Sequence, residues 1–351
     1  MSGRLELRHG VVVSAYPLLV EVAGERRPAW ADTMLLGEMR EGDEVVVNVA
    51  AVRLGLGSGG FDVVHVNLSR GLEGGGEATG EEHVFKLNYS SLQHPVEPVE
   101  GESRSLRFMP AGRPKGAPVP GPRGIPVLVL PLHGHLAPAS WAAARARPGL
   151  RVGYVQTGGG ALPGSLSRDI AELRQRGLLC GHVTAAPAYG GEHEALSTVG
   201  ALDAAASRLG WEAILVGPGP GIIGSATELG HGGMAALDSA HAALSLGLPT
   251  LISPRLSSAD PRDRHRGLSH HTRTVLDLLL APVDIAVPDG FPEALEPLEV
   301  ARGDRHHLRS AAIDLDAYAA SGFPARTMGR ALADDPLFFA APLAAGRLLT
   351  E

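Results

Sequence analysis

The chain has 351 residues, of which 44% are hydrophobic and 20% are charged, and its formal net charge is −7. This length suits two domains, and the apolar content is sufficient for a packed core. The single cysteine, Cys180, excludes an intrachain disulfide and a zinc site built from several thiolates. No apolar run approaches the roughly 20 residues that cross a bilayer, and the N-terminus lacks a signal-peptide pattern, so we expect a cytoplasmic protein without a membrane partner.

Charge is distributed unevenly along the sequence. Residues 1–100 carry 8 basic and 15 acidic side chains, whereas residues 101–351 carry 23 of each. Neither part has the basic excess of a nucleic-acid-binding protein, so we expect no nucleic acid as a partner. The two lysines are Lys86 and Lys115, and the region after them therefore contains neither a P-loop lysine nor a Schiff-base lysine.

The first part of the chain, residues 1–94, is predicted to form a small β-barrel-like domain. Short β-rich runs such as DEVVVNVAAVRL and FDVVHVNL alternate in hydrophobicity, and turn formers such as EGD and GSGG separate them. Five such strands suggest a barrel of the OB or SH3-like type. Residues 95–126 contain eight prolines and are predicted to be a linker.

Apolar strands alternate with helical patterns in residues 127–290. The predicted strands are IPVLVLPL, LRVGYVQ, GHVTAA, WEAILVG, LPTLISP and VDIAVP. This alternation predicts a doubly wound, mainly parallel α/β domain of the Rossmann-like class. Residues 291–351 are predicted to form a helical tail that packs on this domain, because Phe338, Phe339 and Leu348 need burial.

Unusual residues concentrate in the predicted strand-to-helix loops. In a parallel doubly wound sheet these loops emerge at the carboxyl edge, where ligands bind. The reverse connections, such as RQRGL, are short and ordinary, so the asymmetry predicts a shared pocket for a small-molecule ligand. The five loops are HGHLAPAS (133–140), TGGGALPGS (157–165), PAYGGEHE (187–194), GPGPGIIGSATELGHGG (217–233) and SPRLSSADPRDRHRGLSHH (253–271).

Two of these loops are rich in glycine and are candidates to bind an anion. Glycine lets backbone N–H groups approach an anion closely, and a following helix start adds a favourable partial charge. Arginine side chains in the last loop would bind a carboxylate or phosphate in forked pairs. The predicted ligand-binding residues are Gly158, Gly159, Gly160, Ser165, Gly219, Gly221, Gly224, Arg264 and Arg266. The alternatives are structural tight turns for the glycines, helix capping for Ser165 and a solvated loop for the arginines.

Gly219, Gly221 and Gly224 also fit the pattern G-x-G-x-x-G, which raises NAD(P) binding as an alternative. The dinucleotide fingerprint usually opens the first βαβ unit and is followed by an acidic residue about 20 positions later. Here it follows the fourth predicted strand without such an acid, so the match is weak.

The stretch RDRHRGLSHHTRTVL places two histidines at a predicted helix start. Ser269 is a suitable N-cap, and His270 and His271 then occupy the first turn, where the positive helix end keeps imidazole neutral. Neutral imidazole suits a general base or a metal ligand. We therefore predict His270 and His271 as catalytic residues, with Glu194 and His231 nearby.

A metal site is a further hypothesis. His133 and His135, in the sequence HGH, would point the same way if the loop is extended. With Glu192 they are candidate metal ligands, although no spacing here matches an established zinc motif such as H-E-x-x-H. The alternative is that these histidines have only structural roles, and the cofactor is left open.

Four motifs occur in order along the chain: GGGALPGSLS, GGEHEA, GPGPGIIGSATELGHGG and RHRGLSHHTRTVL. Together they resemble an uncharacterised bacterial family, Domain of Unknown Function 3866. The resemblance spans nearly the whole chain. It implies a soluble bacterial protein and supplies no catalytic residues.

These observations favour an enzyme that acts on a small anionic or polar metabolite at the carboxyl edge of the sheet. One alternative is a non-catalytic metabolite-binding or scaffold protein, and another is an NAD(P)-dependent oxidoreductase. The sequence leaves the substrate, the reaction and a homo-oligomeric state open.

Overall fold

The computed structural model describes residues 5–57, 59–72, 82–101, 124–225 and 227–351. The chain divides into two compact units, Met1–Pro95 and Val96–Glu351. The predicted barrel falls within the first unit, and most of the predicted linker lies outside the described residues. Within the described part of the chain, no helix combines the length and apolar character needed to span a membrane.

The first unit contains a closed five-stranded barrel. Its elements are β1 (Leu7–Ala15), β2 (Leu18–Val22), β3 (Glu25–Trp30), α1 (Thr33–Leu36), β4 (Glu44–Asn48), α2 (Ala50–Arg53) and β5 (Asp62–Asn67). The strand order is β1-β2-β3-β5-β4, and β4 pairs back onto β1. The β3–β5 pair is parallel and the other pairs are antiparallel. This order is that of an OB-type Greek-key barrel, one of the two predicted types.

Alternating valines build the core of the barrel. Val45 and Val47 of β4 are fully buried, and they pack with Val12, Val20 and Val64 from three other strands. The period of two along each strand sends every second side chain inward, which is the pattern visible in the sequence. Two further short strands, β6 (Val84–Lys86) and β7 (His94–Val96), pair with each other.

A buried carboxylate, Asp43, joins the loop before β4 to the end of β5. Its oxygens accept hydrogen bonds from Asn67 Nδ2 at 2.9 Å, from the backbone N–H of Arg40 at 2.8 Å and from the guanidinium of Arg70. The Arg70 hydrogen bonds lower the pKa of Asp43 below its usual range and outweigh the opposite effect of burial. The charged form of Asp43 therefore stabilises the barrel.

The second unit contains an eight-stranded parallel sheet with helices on both faces. Its first elements are β8 (Val127–Val129), α3 (Leu136–Ala146), β9 (Val152–Thr157), α4 (Arg168–Gln175), β10 (Gly181–Ala185), β11 (His193–Ala195), α5 (Thr198–Ser207), β12 (Ala213–Pro218), α6 (Ala235–Ser245) and β13 (Thr250–Ile252). The remaining elements are β14 (Leu256–Ser257), β15 (Gly267–Leu268), α7 (His270–Leu278), β16 (Asp284–Pro288), α8 (Pro292–Arg302), β17 (His307–Ala311), α9 (Leu315–Ala319), β18 (Arg326–Thr327), β19 (Arg330–Ala331) and α10 (Pro336–Leu348).

The strand order in this sheet is β11-β10-β9-β12-β8-β13-β16-β17. Every neighbouring pair is parallel, which confirms the predicted doubly wound α/β class. The six predicted strands are present, and two edge strands were not predicted. These are β11, which spans the end of the predicted loop 187–194 and the start of the helix predicted after it, and β17, which lies in the predicted helical tail.

The crossovers place the helices on opposite faces of the sheet. Apolar side chains of α3, α4 and α10 pack on one face, and those of α5, α6, α7 and α8 pack on the other. Thus β8 leads to a helix on one face, whereas its neighbours β12 and β13 lead to helices on the other. Loops diverge at such a switch point and leave a crevice outside the carboxyl ends of the strands.

We predict that Asp43→Asn destabilises the barrel by about 2 kcal/mol at neutral pH, because it weakens hydrogen bonds to a buried charge. The folded-state pKa of Asp43 lies below the unfolded value, so its contribution is present above about pH 4 and is lost as the pH falls through the folded-state pKa. The difference between wild type and variant should therefore shrink in acid. Hydrogen exchange of the barrel peptides in the full chain measures this stability.

The matched control is Glu44→Gln, which changes an exposed carboxylate that lies 3.5 Å from His9. We expect a change of less than about 0.5 kcal/mol for this variant. Equal effects of the two substitutions would contradict the role assigned to Asp43.

Candidate functional site

Four histidine rings meet at the carboxyl edge of the parallel sheet. His231 lies in the loop between β12 and α6, and His265, His270 and His271 lie in or directly after the loop that follows β13. The rings of His231 and His271 are stacked, with centroids 3.6 Å apart and an interplanar angle of 8°. The ring centroids of His270 and His265 lie 4.4 and 4.8 Å from that of His271. We call His231, His265, His270 and His271 the histidine cluster.

The start of α7 positions most of this cluster. Ser269 is the N-cap, as predicted, and its Oγ accepts a hydrogen bond from the backbone N–H of His271 at 3.2 Å. The same Oγ shares a hydrogen bond of 2.7 Å with His265 Nδ1. Ser269 therefore holds both the start of α7 and the ring of His265 in place.

A glycine next to His231 permits the stacked pair. A Cβ atom at Gly233 would lie 2.9 Å from His231 Nδ1 and 3.0 Å from His271 Nδ1. Any side chain at this position would push the two rings apart. Gly233, the last residue of the GHGG motif, is therefore needed for the packing of the cluster.

Several ring nitrogens of the cluster lack a hydrogen-bond partner among the described residues. His231 is only 8% exposed, and in the described part of the chain both of its ring nitrogens lack a partner within hydrogen-bond distance, as does Nε2 of His270. The backbone of Glu228 still acts on the His231 ring and opposes the lowering of its pKa by burial. A buried polar group without a partner costs about 1–3 kcal/mol, and folded proteins rarely tolerate it. One potential ligand nitrogen from each of His231, His270 and His271 lies within 4.8 Å of the others. This arrangement is typical of a site that binds something from outside the chain.

The cluster is neutral at physiological pH. Burial, followed by the charge of Arg255, lowers the pKa of His271 to about 2 and that of His265 to about 3. Burial is also the main cause of the lowered pKa values of His231 and His270. Arg255 Nη1 lies 3.1 Å from Nδ1 of His271 and donates a hydrogen bond to it. The cluster therefore offers neutral imidazoles beside a fixed positive charge.

A buried ion network holds Arg255 and its loop. Asp260 is fully buried and lies 3.5 Å from Arg255 and 3.7 Å from Arg330, while Arg262 donates two hydrogen bonds of 2.9 Å to it. Burial alone would raise the pKa of Asp260, but hydrogen bonds from Arg262 hold it far below its usual range. Asp335 accepts hydrogen bonds from Arg330, Ser257 and Ser258. The network thus ties the loop after β13 to the C-terminal segment before α10.

The predicted anion-binding arginines differ in their surroundings. Arg266 lies 3.6 Å from the exposed Asp263 and also contacts the backbone oxygen of Asp260 at 3.4 Å. Arg264 is exposed and helps to lower the pKa values of His231 and His270. Arg264 is thus electrostatically linked to the cluster, and its role in anion binding stays a prediction.

Two adjoining cavities open beside His231. Both are lined by Gly159, His231 and Gly232. The first has a volume of about 290 Å³ and is also lined by Thr157, Gly158, Ala186, Pro187, Thr198, Ala235, Asp238 and Ser239. The second has a volume of about 450 Å³ and is also lined by Ile223, Gly224, Ser225 and Gly230. The predicted glycine-rich loops and one member of the histidine cluster, His231, therefore share one cavity region.

Close backbone contacts explain several of the glycines. Gly159 has a φ of 99°, and a Cβ at Gly232 would overlap the carbonyl oxygen of Gly159. A Cβ at Gly160 would likewise overlap the carbonyl oxygen of Gly219. Residues 157–161 thus pack directly against the loop between β12 and α6. Gly221 has open space around its Cβ position, and Gly224 lies beside His231.

Ser165 does not cap the following helix, which was the alternative to its predicted role in ligand binding, and that role stays a prediction. Ser165 lies in a 3₁₀ turn, Gly164–Leu166, and α4 begins only after Ser167. The Oγ of Ser167 accepts the capping hydrogen bond from the backbone N–H of Ile170 at 3.1 Å. The intervening 3₁₀ turn moves the true helix start two residues onward.

The structure does not bring the three predicted metal ligands His133, His135 and Glu192 into one set. The HGH segment forms a 3₁₀ turn rather than an extended loop, so its two rings have different partners. His133 contacts Ser167 at 2.7 Å, whereas His135 contacts Ser253 at 2.8 Å. Glu192 forms an ion pair with Arg174. Within the described chain, the group with converging potential ligands is His231, His270 and His271 instead.

Glu194 holds its own loop together. Its two carboxylate oxygens accept hydrogen bonds from Thr184 Oγ1 at 2.7 Å and from the backbone N–H of Gly190 at 2.6 Å. These contacts give Glu194 a structural role at the β10–β11 edge. A catalytic role stays a prediction.

Sequence reasoning missed two members of the site, Arg255 and His265. Both lie within the predicted loop 253–271, and His265 is part of the histidine-rich stretch that marked it. What distinguishes Arg255 and His265 from the other polar residues of this loop is that they are buried. Their burial depends on the path of the loop through the fold, which the sequence does not reveal.

The fold and the site define a protein with a small barrel and an α/β unit that carries a histidine cluster at the carboxyl edge of its sheet. The chain belongs to the family described as Protein of unknown function (DUF3866), whose model matches residues 28–346. This match confirms the resemblance predicted from the four motifs. Searches of curated proteins and of solved structures find no match.

We predict that Asp260→Asn destabilises the second unit by about 3–5 kcal/mol, because it leaves buried arginine charge without its partner. Residues 253–269 should also lose hydrogen-exchange protection. The control is Asp263→Asn, whose 96% exposed carboxylate should contribute almost nothing. Unchanged protection of this loop in Asp260→Asn would contradict the role of the network.

We predict that Gly232→Ala separates the loops that line the cavities, because its methyl group would occupy the position of the Gly159 carbonyl oxygen. Ligand affinity should fall at least about tenfold, which corresponds to about 1.4 kcal/mol. Calorimetry with any ligand of the cavity measures this loss. Gly57→Ala adds a methyl group in open space and should leave affinity unchanged; an equal loss in both variants would count against the loop contact.

Proposed function

We propose that this chain is an enzyme that acts on a small anionic or polar metabolite, bound between the glycine-rich loops and the histidine cluster. The observation that carries the proposal is the position of His231. Its buried ring lines both cavities, stacks on His271 and has two ring nitrogens without a partner among the described residues. A ligand in the cavity would therefore lie against the His231 ring, and a small movement of that ring would bring its buried nitrogens to the ligand.

The chemistry of the cluster supports an enzymatic role. Neutral imidazoles coordinate metal ions and accept hydrogen bonds, and the low pKa values of His265 and His271 keep these rings neutral. Because rings with such low pKa values are weak bases, we assign proton transfer to His231 or His270. Perturbed titratable groups that gather beside a cavity are typical of reactive centres. Proton transfer by a positioned side chain contributes about 10²–10⁴-fold to a rate. We infer that the histidine cluster is the reactive centre.

The charge around the cluster supports an anionic or polar ligand. Arg255 and Arg264 both lower the pKa of His231, so they create a positive potential at its ring. The N-terminus of α7, in whose first turn His270 and His271 lie, adds to this potential. The same potential that disfavours imidazolium favours a carboxylate or phosphate in the adjoining cavity.

The NAD(P)-dependent alternative has less support from the geometry. The glycine run follows β12, which lies between β9 and β8 in the sheet, rather than the first strand β8. It ends at Gly224, whereas α6 begins only at Ala235, so the run does not lead directly into a helix N-terminus. The dinucleotide fingerprint requires that direct connection for the pyrophosphate. A cytoplasmic location and a homo-oligomeric state stay predictions from the sequence.

We expect that some members of a panel of phosphates, carboxylates, sugar phosphates and nucleotides stabilise the full chain against heat. Binding to the folded state adds about 2.7 kcal/mol at a hundredfold excess over Kd. His231→Ala should abolish the shift, while His307→Ala, which changes an exposed histidine, should retain it. Equal shifts in both variants would place the ligand elsewhere.

Turnover of the stabilising ligand then separates an enzyme from a non-catalytic binding protein. We expect His270→Ala to lower kcat/KM by about 10²–10⁴-fold while circular dichroism shows an intact fold. His307→Ala again serves as the control. Tight binding without turnover in the wild-type chain would favour the binding-protein alternative.

A further inference from the structure

We propose that His231, His270 and His271 form a binding site for a divalent transition metal ion, with Zn²⁺ as the best match. The inference concerns the same cluster as the proposed function and rests on it, because it assigns a resident metal to that centre. It differs from the metal site predicted from the sequence, whose candidate ligands the structure separates. Its starting point is the convergence of one nitrogen from each ring within 4.8 Å.

The spacing of the three nitrogens is close to that of a metal-bound set. Zn–N bonds of about 2.0–2.1 Å in tetrahedral geometry place neighbouring nitrogens about 3.4 Å apart. Reaching this spacing from 4.8 Å requires the stacked rings of His231 and His271 to tilt, because the in-plane lone pairs of two parallel rings do not point at one ion.

The unpaired nitrogens are the second observation. His231 and His270 each have at least one buried ring nitrogen without a partner among the described residues. These rings come from the β12–α6 loop and the first residue of α7, and they lie edge to face with centroids 5.4 Å apart. A bound cation would satisfy the nitrogen lone pairs of both rings at once, which a single added hydrogen bond would not do.

His271 completes the set with the lone pair of its neutral ring. In the metal-free chain that lone pair is on Nδ1, which accepts the hydrogen bond from Arg255 Nη1 at 3.1 Å, so Nε2 carries the ring proton. A Cβ atom at Gly233 would lie 2.9 Å from His231 Nδ1 and 3.0 Å from His271 Nδ1, so both of these nitrogens lie beside Gly233. A metal ion at His271 Nδ1 would replace the hydrogen bond from Arg255, whose guanidinium would keep its ion pair with Asp260.

Arg255 is also the charge that most directly opposes a cation at this position. Its pairing with the fully buried Asp260 at 3.5 Å offsets that repulsion. The ligand atoms themselves are neutral imidazoles, which suit zinc better than calcium or magnesium, because those ions prefer oxygen ligands. Charge and ligand type together therefore favour a transition metal.

The arrangement has the form of a catalytic rather than a structural zinc site. Catalytic zinc commonly has three protein ligands and one open position, whereas structural sites are closed by four. Of the three ligands, His231 lines both cavities. The open position would thus face the cavity, where an anionic or polar metabolite would bind the metal as a fourth ligand.

The test is metal binding by the full chain after removal of bound metal with a chelator. We expect one equivalent of Co²⁺ to bind and to give the strong visible absorption of a tetrahedral site, and Zn²⁺ to displace it. His231→Ala, His270→Ala and His271→Ala should each weaken binding at least about 100-fold. His307→Ala, at an exposed histidine, is the control and should bind as the wild type does.

His270→Ala is the decisive variant, because His270 is only partly buried and its loss should leave the fold intact. Wild-type affinity in a folded His270→Ala, or no Co²⁺ binding by the wild-type chain, would overturn the metal site. Metabolite binding is measured separately in the chelated chain. If metabolite binding persists without metal, the proposed function stands even where the metal site is wrong. If metal binds but no metabolite does, the metal site stands and the proposed function is wrong.

Discussion

The buried carboxylate of Asp260 is the interaction on which the candidate site depends. It holds Arg255 and Arg262, and through Arg330 it connects the loop after β13 with the segment before α10. Arg255 in turn donates to His271, which stacks on His231 from a different loop. A salt-bridge network is weak support for stability, but here it sets the path of the loop that supplies most of the cluster.

The sequence predicted the fold class well because both units have regular hydrophobic patterns. Fully buried strands such as β8 and β12 appear as continuous apolar runs, whereas the barrel strands alternate. The edge strands β11 and β17 were missed because they are short and mostly half-buried or exposed, so they lack either pattern. Strand order was also beyond the sequence, because periodicity reports which faces are buried and not which strands are neighbours.

The candidate site was predictable at the level of loops and less so at the level of atoms. Parallel topology alone places His231 and His271 at one edge of the sheet, although 40 positions of sequence separate them. Local turns then decided the details. The 3₁₀ turn at HGH sends His133 and His135 to different partners, and a second such turn moves the helix cap from Ser165 to Ser167. Such choices depend on tertiary contacts that no short motif encodes.

The glycines and histidines of the site have separate tasks. Gly160 and Gly219 already face backbone oxygens, so their missing side chains are needed for contact between two loops rather than for a ligand. That contact leaves the cavity beside His231, and the polar atoms that remain without partners there belong to imidazoles. In the proposed function, the loop residues would therefore set binding specificity while the histidines would supply the reactive groups. On this view the glycine-rich motifs mark the walls of the site, and the GHGG and LSHHT segments mark its chemistry.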